Sequence, residues 1–208
     1  MKKILMILFS IILSWNTYAN NFTNGKEYYI LSQPVLHVPK IIDCFSFFCP
    51  YCYEFEQKHH IRHFINQVKD KNIIFHSYHV NFFGGKLSTL LTKAWIMAKY
   101  LRLEEKIMIP FFKAVQETHT IKNEDSIRAL FIKETNISVN QYNKLWNSSI
   151  INTLVQKQEK YINKIPLDHV PAVIIQGKYI LDYYLLEKSF KDDFVTKYIS
   201  LLKFLSTK

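Results

Sequence analysis

The sequence predicts an α/β fold in which a helical domain is inserted into a sheet-containing parent domain. Strand-like segments occur towards both ends of the chain, whereas the apolar residues between them recur at the three-and-four spacing of helices. The chain of 208 residues is also long enough for one domain that carries a large insertion. We therefore expect a parent domain formed by residues 20–86 and 166–208, with an inserted helical domain at residues 87–165.

The first part of the expected parent domain alternates between strand and helix patterns. Residues 26–31 and 40–47 are strand-like, and the second segment is almost entirely apolar, as in a central strand that is buried on both faces. A helical segment follows, and residues 73–80 are again rich in β-branched and aromatic residues. The apolar face of that helix consists of Ile61, Phe64, Ile65 and Val68. Strand, helix and strand in this order predict a parallel crossover unit.

The expected insertion contains several helical patterns. Three helices are predicted at residues 87–103, 104–118 and 125–134. Ser138 and Gln141 fit a capping box that opens a fourth helix, which continues towards Tyr161.

The sheet pattern returns after the insertion. Residues 172–176 and 178–181 flank Gly177 as a hairpin. One apolar stripe then marks a last helix, with Phe194, Tyr198, Leu201 and Leu205 as its members.

The N-terminus has the layout of a secretory signal peptide. Lys2 and Lys3 precede an apolar stretch at residues 4–15, and the small residues Thr17 and Ala19 follow it. The stretch is shorter than the roughly 20 residues that a membrane span needs. We expect residues 1–19 to be removed and the mature protein to be exported to the periplasm.

The chain is basic, with a formal net charge of +10. Such a charge attracts anionic partners, including nucleic acid and membranes. The lysines are nevertheless scattered along the chain, and no nucleic-acid recognition motif accompanies them. We therefore expect a solvated surface and no nucleic-acid partner.

The sequence Cys49-Pro50-Tyr51-Cys52 lies between a predicted strand and a predicted helix. The N–H groups and the positive dipole end of a helix stabilise a thiolate, and Pro50 suits the first helical position because it has no N–H to leave unpaired. Cys49 is therefore the candidate nucleophile. Cys44 remains alone in a strand pattern, where a buried, inert thiol is expected, and a resolving or intermolecular role is the alternative.

A Cys-x-x-Cys pair also occurs in zinc sites, which require four ligands. No second cysteine pair exists, so the histidines His59, His60 and His63 would have to serve. We expect these on one continuous helix with Cys52, too far along its axis for shared coordination. We therefore predict neither a metal nor a cofactor.

A second informative segment is His169-Val170-Pro171-Ala172, directly before the predicted hairpin. Most bonds that precede proline are trans, so the residues by themselves favour an ordinary trans proline at the start of a strand.

Taken together, these segments resemble the DsbA family of exported bacterial thiol oxidases, and the resemblance spans nearly the whole mature chain. The matching segments are 45–53, 78–82 with Gly84-Gly85, Gln116 with Thr118 and 120–121, 146–148, 158–160, 170–172 and 177–179. The resemblance implies a thioredoxin-like fold interrupted by a helical domain. It also implies that Cys49 attacks, that Cys52 resolves, and that Val170–Pro171 is a cis bond that faces the disulfide and lies beside the substrate backbone.

The same resemblance implies partners and one further site residue. The substrates would be unfolded exported proteins with free cysteines, and a DsbB-type membrane quinone reductase would reoxidise the protein, which we expect to be a monomer. Asp43 matches a family acid below the active site, where a carboxylate can carry a proton to Cys52. Its alternative role is a polar end of a strand. Ser77 stands where the family's lysine partner of that acid is expected.

The sequence departs from the family at Tyr51, where DsbA proteins usually have histidine. A neutral hydroxyl stabilises a thiolate less than a histidine does, and Cys-Pro-Tyr-Cys is also the glutaredoxin sequence. The alternative functions on the same fold are therefore a weaker oxidant, a reductase or an isomerase. A peptide-binding chaperone with a structural disulfide is the alternative of a different class. Tyr51 and Phe82-Phe83 either line an apolar groove or fill the core.

Overall fold

A computed structural model describes residues 22–61 and 74–208. The predicted signal peptide, residues 1–19, lies outside the described residues, as do Phe64, Ile65 and Val68 of the predicted helix face. Within the described ranges, no helix has the length and apolar character needed to cross a membrane.

The described part of the chain forms one mixed sheet with helices around it, which confirms the α/β class. Its strands are β1 (Tyr29–Ile30), β2 (Ile41–Phe45), β3 (Phe75–His79), β4 (Ala172–Ile175) and β5 (Tyr179–Asp182). The strand order is β1-β5-β4-β2-β3. The β2 and β3 strands are parallel, as the crossover prediction requires, whereas β2 pairs with β4 in the antiparallel direction.

The β2 strand lies inside the sheet, and all five of its residues are buried. This confirms the prediction from its apolar sequence. The strand is shorter than predicted and ends at Phe45, because the chain turns there towards Cys49. Gln176 and Gly177 both have positive φ and connect β4 to β5 in a tight hairpin, also as predicted.

Eight α-helices accompany the sheet in the described ranges. They are α1 (Pro50–His59), α2 (Gly85–Leu101), α3 (Glu104–Gln116), α4 (Glu124–Thr135), α5 (Val139–Trp146), α6 (Ser149–Ile162), α7 (Tyr183–Phe190) and α8 (Phe194–Ser206). The helices α2 to α6 follow one another between β3 and β4.

Two predictions about helices are wrong, and one helix was not predicted. The helix predicted from Ser138 to Tyr161 is two helices, because the Ser148 hydroxyl accepts the N–H of Ile151 and starts α6 there. The α1 helix ends at His59, since His60 adopts a left-handed conformation with φ 45°, so one continuous helix does not reach beyond it. The α7 helix was not predicted; its first turn is capped by Asp182, whose carboxylate accepts the N–H of Leu185.

Two apolar clusters form the interior. One contains β2 residues such as Phe45 together with Trp95, Phe111 and Phe112 of the α2 and α3 helices. The other packs Phe55 of α1 against residues of α7 and α8, including Tyr198. Both Cys49 and Cys52 belong to the first cluster, so the helices between β3 and β4 provide packing for the dithiol.

Candidate active site

The dithiol lies at the N-terminus of α1, directly after the turn that follows β2. Cys49 is the N-cap residue and Pro50 is the first helical residue, as the sequence predicts. The Cys49 N–H donates to the Ser46 carbonyl at 3.0 Å, which closes the turn. The Ser46 hydroxyl also accepts the N–H of Phe48 at 3.2 Å. The last strand residue and the first helical turn are thus joined by a short, internally bonded segment.

The Cys49 sulfur is held by two hydrogen bonds. It accepts the N–H of Cys52 at 3.1 Å and donates to the Val170 carbonyl at 3.2 Å. The side-chain hydrogen bond with Cys52 lowers the pKa of Cys49; burial opposes this shift, and the N–H groups of Cys52 and Tyr51 add to it. Cys49 is therefore the more acidic thiol of the pair, which is the property that an attacking cysteine needs.

Cys52 has the opposite character. Its side chain is only 1% exposed. Burial raises the pKa of Cys52 well above its ordinary value, and the hydrogen bond with Cys49, the charge of Cys49 and the charge of Asp43 act in the same direction. The two thiols of one helical turn thus differ in pKa because Cys49 has a hydrogen bond with the Cys52 side chain, supported by backbone N–H groups, whereas Cys52 is buried in the interior.

The structure brings the Val170–Pro171 segment against this dithiol. The peptide bond between them is cis, so the trans bond favoured by the residues alone is wrong and the cis bond implied by the family resemblance is present. Ala172 follows at the start of β4 and pairs with Cys44 of β2. Adjacent strands therefore place the Val170 carbonyl beside Cys49, although 121 residues separate them in sequence.

Asp43 is 5% exposed on β2, and its strand register places it beside Ser77 of β3. The Ser77 hydroxyl donates to a carboxylate oxygen of Asp43 at 2.8 Å. Asp43 also lines a small cavity together with Pro171. Asp43 is the third of the five residues of β2.

His79 was not predicted as a site residue, yet it supports the turn before the dithiol. Its Nε2 accepts the N–H of Phe47 at 3.0 Å, and its Nδ1 lies 2.8 Å from the Thr92 hydroxyl. The Thr92 hydroxyl donates onward to the Ser88 carbonyl at 3.1 Å, so Nδ1 carries the imidazole proton. Burial lowers the pKa of His79 to about 3, which keeps the ring neutral.

Gln116, the last residue of α3, also supports the active-site turn. Its side-chain amide donates to the carbonyls of Phe47 and Cys49 at 2.7 and 3.1 Å. The neighbouring Glu117 accepts the Tyr53 hydroxyl at 2.7 Å, and the Tyr53 ring stacks on Phe112. The helices between β3 and β4 therefore bond directly to both sides of the dithiol.

The aromatic residues around the site divide into two groups. Phe45, Phe47, Tyr53 and Phe55 are buried, as core residues should be. Tyr51, Phe82 and Phe83 are 59%, 45% and 40% exposed. The rings of Phe82 and Phe83 contact each other, with their centroids 4.9 Å apart. These three residues thus form the exposed aromatic set near the dithiol.

Cys44 is fully buried on β2, and burial followed by the charge of Asp43 raises its pKa well above the ordinary value. This fits the expected inert thiol. Within the described ranges, no three His, Cys, Asp or Glu side chains gather as metal ligands would. His59 instead contacts Glu187 and stacks on Phe194, while His63 lies outside the described residues.

Comparison with known proteins identifies the family. Residues 40–189 match the DSBA-like thioredoxin domain. The chain is 50% identical over 208 residues to the thiol:disulfide interchange protein DsbA of Buchnera aphidicola subsp. Schizaphis graminum, with 100% of both chains covered. It is 38% identical to the Escherichia coli (strain K12) protein of the same name, again with 100% of both covered.

A solved structure agrees with these matches. Proteus mirabilis DsbA, in complex with the noncovalently bound peptide PWATCDS, superposes with a TM-score of 0.81 at 30% identity, covering 90% of this chain and 100% of that chain. The chain therefore belongs to the DSBA-like thioredoxin domain family and is a thiol:disulfide oxidoreductase with a thioredoxin-like fold.

Proposed function

We propose that this oxidoreductase works in the periplasm as a dithiol oxidase and introduces disulfide bonds into exported proteins through Cys49 and Cys52. The observation that carries the proposal is the unequal acidity of the two thiols. The pKa of Cys49 is lowered by the Cys52 hydrogen bond, whereas the pKa of Cys52 is raised by burial. A stabilised Cys49 thiolate is a good leaving group and favours the reduced protein, which makes the disulfide an oxidant.

The reaction proceeds by two thiol–disulfide exchanges. A substrate thiolate attacks the Cys49 sulfur, the Cys49–Cys52 bond breaks, and Cys52 leaves as a thiolate that takes up a proton. A second substrate thiolate attacks the substrate sulfur of the mixed disulfide, and Cys49 leaves as a thiolate. The substrate loses two electrons as its disulfide forms, and the protein gains them as its disulfide becomes a dithiol.

The cis-proline segment is the proposed substrate-binding element, with Val170 and Pro171 as its residues. In the dithiol form the Val170 carbonyl accepts the Cys49 thiol. When Cys49 is in a disulfide it has no S–H to donate, so the same carbonyl can accept a backbone N–H of the substrate. The peptide PWATCDS that is noncovalently bound to the Proteus mirabilis relative supports recognition of a peptide segment.

The exposed aromatic set Tyr51, Phe82 and Phe83 is the proposed contact surface for unfolded segments and for the membrane partner. Phe82 and Phe83 precede Gly84, which packs against the ring of Phe48 beside Cys49. Apolar side chains of unfolded proteins would cover this surface and gain free energy as it leaves water.

Asp43 is the proposed proton carrier for Cys52. The charge of Asp43 acts on the pKa of Cys52, after burial and the Cys49 interactions. During reoxidation the buried Cys52 must lose its proton before it attacks a mixed disulfide at Cys49, and a nearby carboxylate can accept it. The neutral variant Asp43→Asn should slow this step most at low pH, where hydroxide cannot replace the carboxylate.

Reoxidation and localisation complete the proposal. A DsbB-type membrane quinone reductase would accept the electrons, and cleavage of residues 1–19 would release a monomeric protein into the periplasm. Residues 20–86 and 166–208 would form the thioredoxin-like domain and residues 87–165 the inserted helical domain. N-terminal sequencing of the exported protein tests the cleavage: an intact Met1 would point to an uncleaved anchor.

Mixed-disulfide trapping tests the proposed roles of the cysteines. Cys52→Ala should accumulate adducts with exported proteins, because Cys52 can no longer displace the substrate from Cys49. Cys49→Ala should form no adduct and lose oxidase activity. The matched control is Cys44→Ala, which removes a buried thiol outside the pair and should retain activity. Full activity of Cys49→Ala, with no adduct on Cys52→Ala, would favour the chaperone with a structural disulfide.

Tyr51 supports a second candidate, a reductase or isomerase on the same fold. Its neutral side chain is 59% exposed between the cysteines and brings no cation to the Cys49 thiolate. Equilibration with glutathione decides between the candidates: a reduction potential below about −200 mV would exclude a strong oxidant and favour the reductase or isomerase.

A further inference from the structure

We propose that a basic cavity between β3, α2 and α6 is a binding site for a small aromatic phosphate ester, separate from the dithiol. The cavity has a volume of about 580 Å³, which lies in the range of small-molecule sites. Residues 37–39, which precede β2, close its wall on one side. Neither Cys49, Cys52 nor the cis-proline segment lines the cavity, so a ligand there leaves the dithiol open to substrate.

The charge of the cavity wall selects an anion. Lys99 and Lys157 line the cavity together with the two histidines His37 and His76, and none of the described residues that line it is Asp or Glu. Burial lowers the pKa of His76, and the charges of Lys99 and Lys157 lower it further, so both lysines act on the same part of the wall. A bound anion would reduce this repulsion between like charges.

The number of cationic groups favours a phosphate ester over a carboxylate. A phosphate monoester carries a charge of about −1.5 to −2 at pH 7 and has three strong acceptor oxygens. A carboxylate carries a single negative charge and two oxygens. Two lysines and two histidines on one wall therefore match the phosphate group better, because each of its oxygens can meet a separate donor.

Aromatic and aliphatic side chains form the rest of the wall. Tyr78, Tyr100 and Tyr161 line the cavity, and the rings of Tyr78 and Tyr161 are parallel to within 5°, with their centroids 6.3 Å apart. Ile96 and Leu154 add aliphatic surface. An aromatic body that packs against this surface leaves water and gains free energy, which inorganic phosphate cannot do.

The wall is held together by contacts between its elements. The Lys99 ammonium of α2 donates to the Ser77 carbonyl of β3 at 2.8 Å and lies over the Tyr78 ring, 4.8 Å from its centroid. The Gln158 side-chain amide of α6 donates to the His79 carbonyl of β3 at 2.8 Å. Both helices are therefore bonded to the same strand, and the cavity is formed before a ligand enters it.

Titration calorimetry with 1-naphthyl phosphate tests the proposal on the intact protein. We expect one saturable site. The contributions of charge and ring are separated by two further probes, since 1-naphthol lacks the phosphate and inorganic phosphate lacks the ring. Each should bind at least about tenfold more weakly than the ester. The proposal is overturned if the ester shows no saturable binding in the millimolar range, or if either probe binds as tightly as the ester.

Substitutions on α6 assign the binding to this cavity. Lys157→Met should weaken binding of the ester about tenfold, because a donor to the phosphate is lost. Lys160→Met is the matched control: it removes the same charge from an exposed lysine of the same helix that does not line the cavity, and it should bind as the parent protein does. Equal losses in the two variants would show a response to overall charge and would overturn the site.

A second pair of variants changes the sign of the wall. Leu154→Glu places a carboxylate in the cavity and should weaken binding at least about tenfold, whereas Leu154→Gln has nearly the same shape without the charge and should retain binding. Parent-like binding by Leu154→Glu would place the ligand elsewhere on the protein. Should Leu154→Glu fail to fold, the two exposed lysine variants still decide the question.

Discussion

The side-chain amide of Gln116 donates to the carbonyl oxygen of Cys49 at 3.1 Å, across 67 residues of sequence. It also donates to the Phe47 carbonyl at 2.7 Å. One amide group therefore holds the backbone on both sides of Phe48. Because Gln116 ends α3, the helices between β3 and β4 fix the geometry of the dithiol as well as cover it.

Removal of this amide should weaken both the fold and the reaction. Gln116→Ala leaves two carbonyls without their donor, which should cost about 1 to 3 kcal/mol of unfolding free energy and slow thiol exchange. Urea unfolding and the rate of peptide oxidation measure the two effects. Gln156→Ala, at an exposed glutamine of α6, is the control and should change neither. Parent-like stability of Gln116→Ala would contradict a supporting role for the amide.

The dithiol could be predicted from the sequence, whereas most of its support could not. Cys49, Pro50 and Cys52 lie in one helical turn, so local spacing is enough to place them. Gln116 and His79 act from 67 and 32 residues away, and their partners are backbone groups that have no sequence signature. Such contacts depend on tertiary packing, which periodicity does not describe.

The difference between local sequence signals and tertiary contacts also explains which strands and helices were predicted and which were not. The β2 strand was predicted because burial on both faces leaves an almost continuous apolar run. The α7 helix was missed because its eight residues follow β5 directly, and Asp182 is both the last residue of that strand and the helix cap. The resemblance pointed to Ser77 as a departure, but only the structure shows its hydroxyl on Asp43.

Tyr51 should limit the oxidising strength of the protein. Tyr51→His introduces a side chain that can carry positive charge next to Cys49, whose pKa is already lowered by the Cys52 hydrogen bond. We expect a lower pKa of Cys49 and a glutathione equilibrium shifted about tenfold towards the dithiol, equivalent to about 30 mV. The ultraviolet absorbance of the thiolate reports the pKa, and equilibration with glutathione reports the potential.

The control for this substitution is Tyr51→Phe, which keeps the ring and removes the exposed hydroxyl. It should leave the pKa of Cys49 and the potential unchanged. Equal shifts in the two variants would show that loss of the hydroxyl, rather than the gained imidazole, is responsible.

Gly84 should be intolerant of any side chain because of its approach to Phe48. Its φ is +76°, and an added Cβ would overlap the Phe48 ring. Gly84→Ala should therefore cost about 2 to 4 kcal/mol through backbone strain and overpacking, and should slow exchange at Cys49. Gly85 provides the comparison, since its φ is +56° and an added Cβ there meets nothing within 4 Å. Urea unfolding should rank Gly84→Ala below Gly85→Ala, and equal losses would argue against the Phe48 contact.

His79 should make the protein less stable in acid. Burial lowers its pKa from 6.5 to about 3, so between these values the unfolded chain binds a proton that the folded protein excludes. The contribution of neutral His79 to the free energy of unfolding is therefore fully present above about pH 6.5. It decreases as the pH falls, by up to about 1.4 kcal/mol per pH unit.

His79→Gln tests this prediction, because glutamine can retain an acceptor for the Phe47 N–H but cannot take up the proton. Between about pH 7 and pH 4.5, its unfolding free energy in urea should fall by about 2 kcal/mol less than that of the parent protein. If the unfolding free energies of the two proteins fall equally with pH, His79 takes up a proton in the folded protein. That result would contradict a neutral ring held between Phe47 and Thr92.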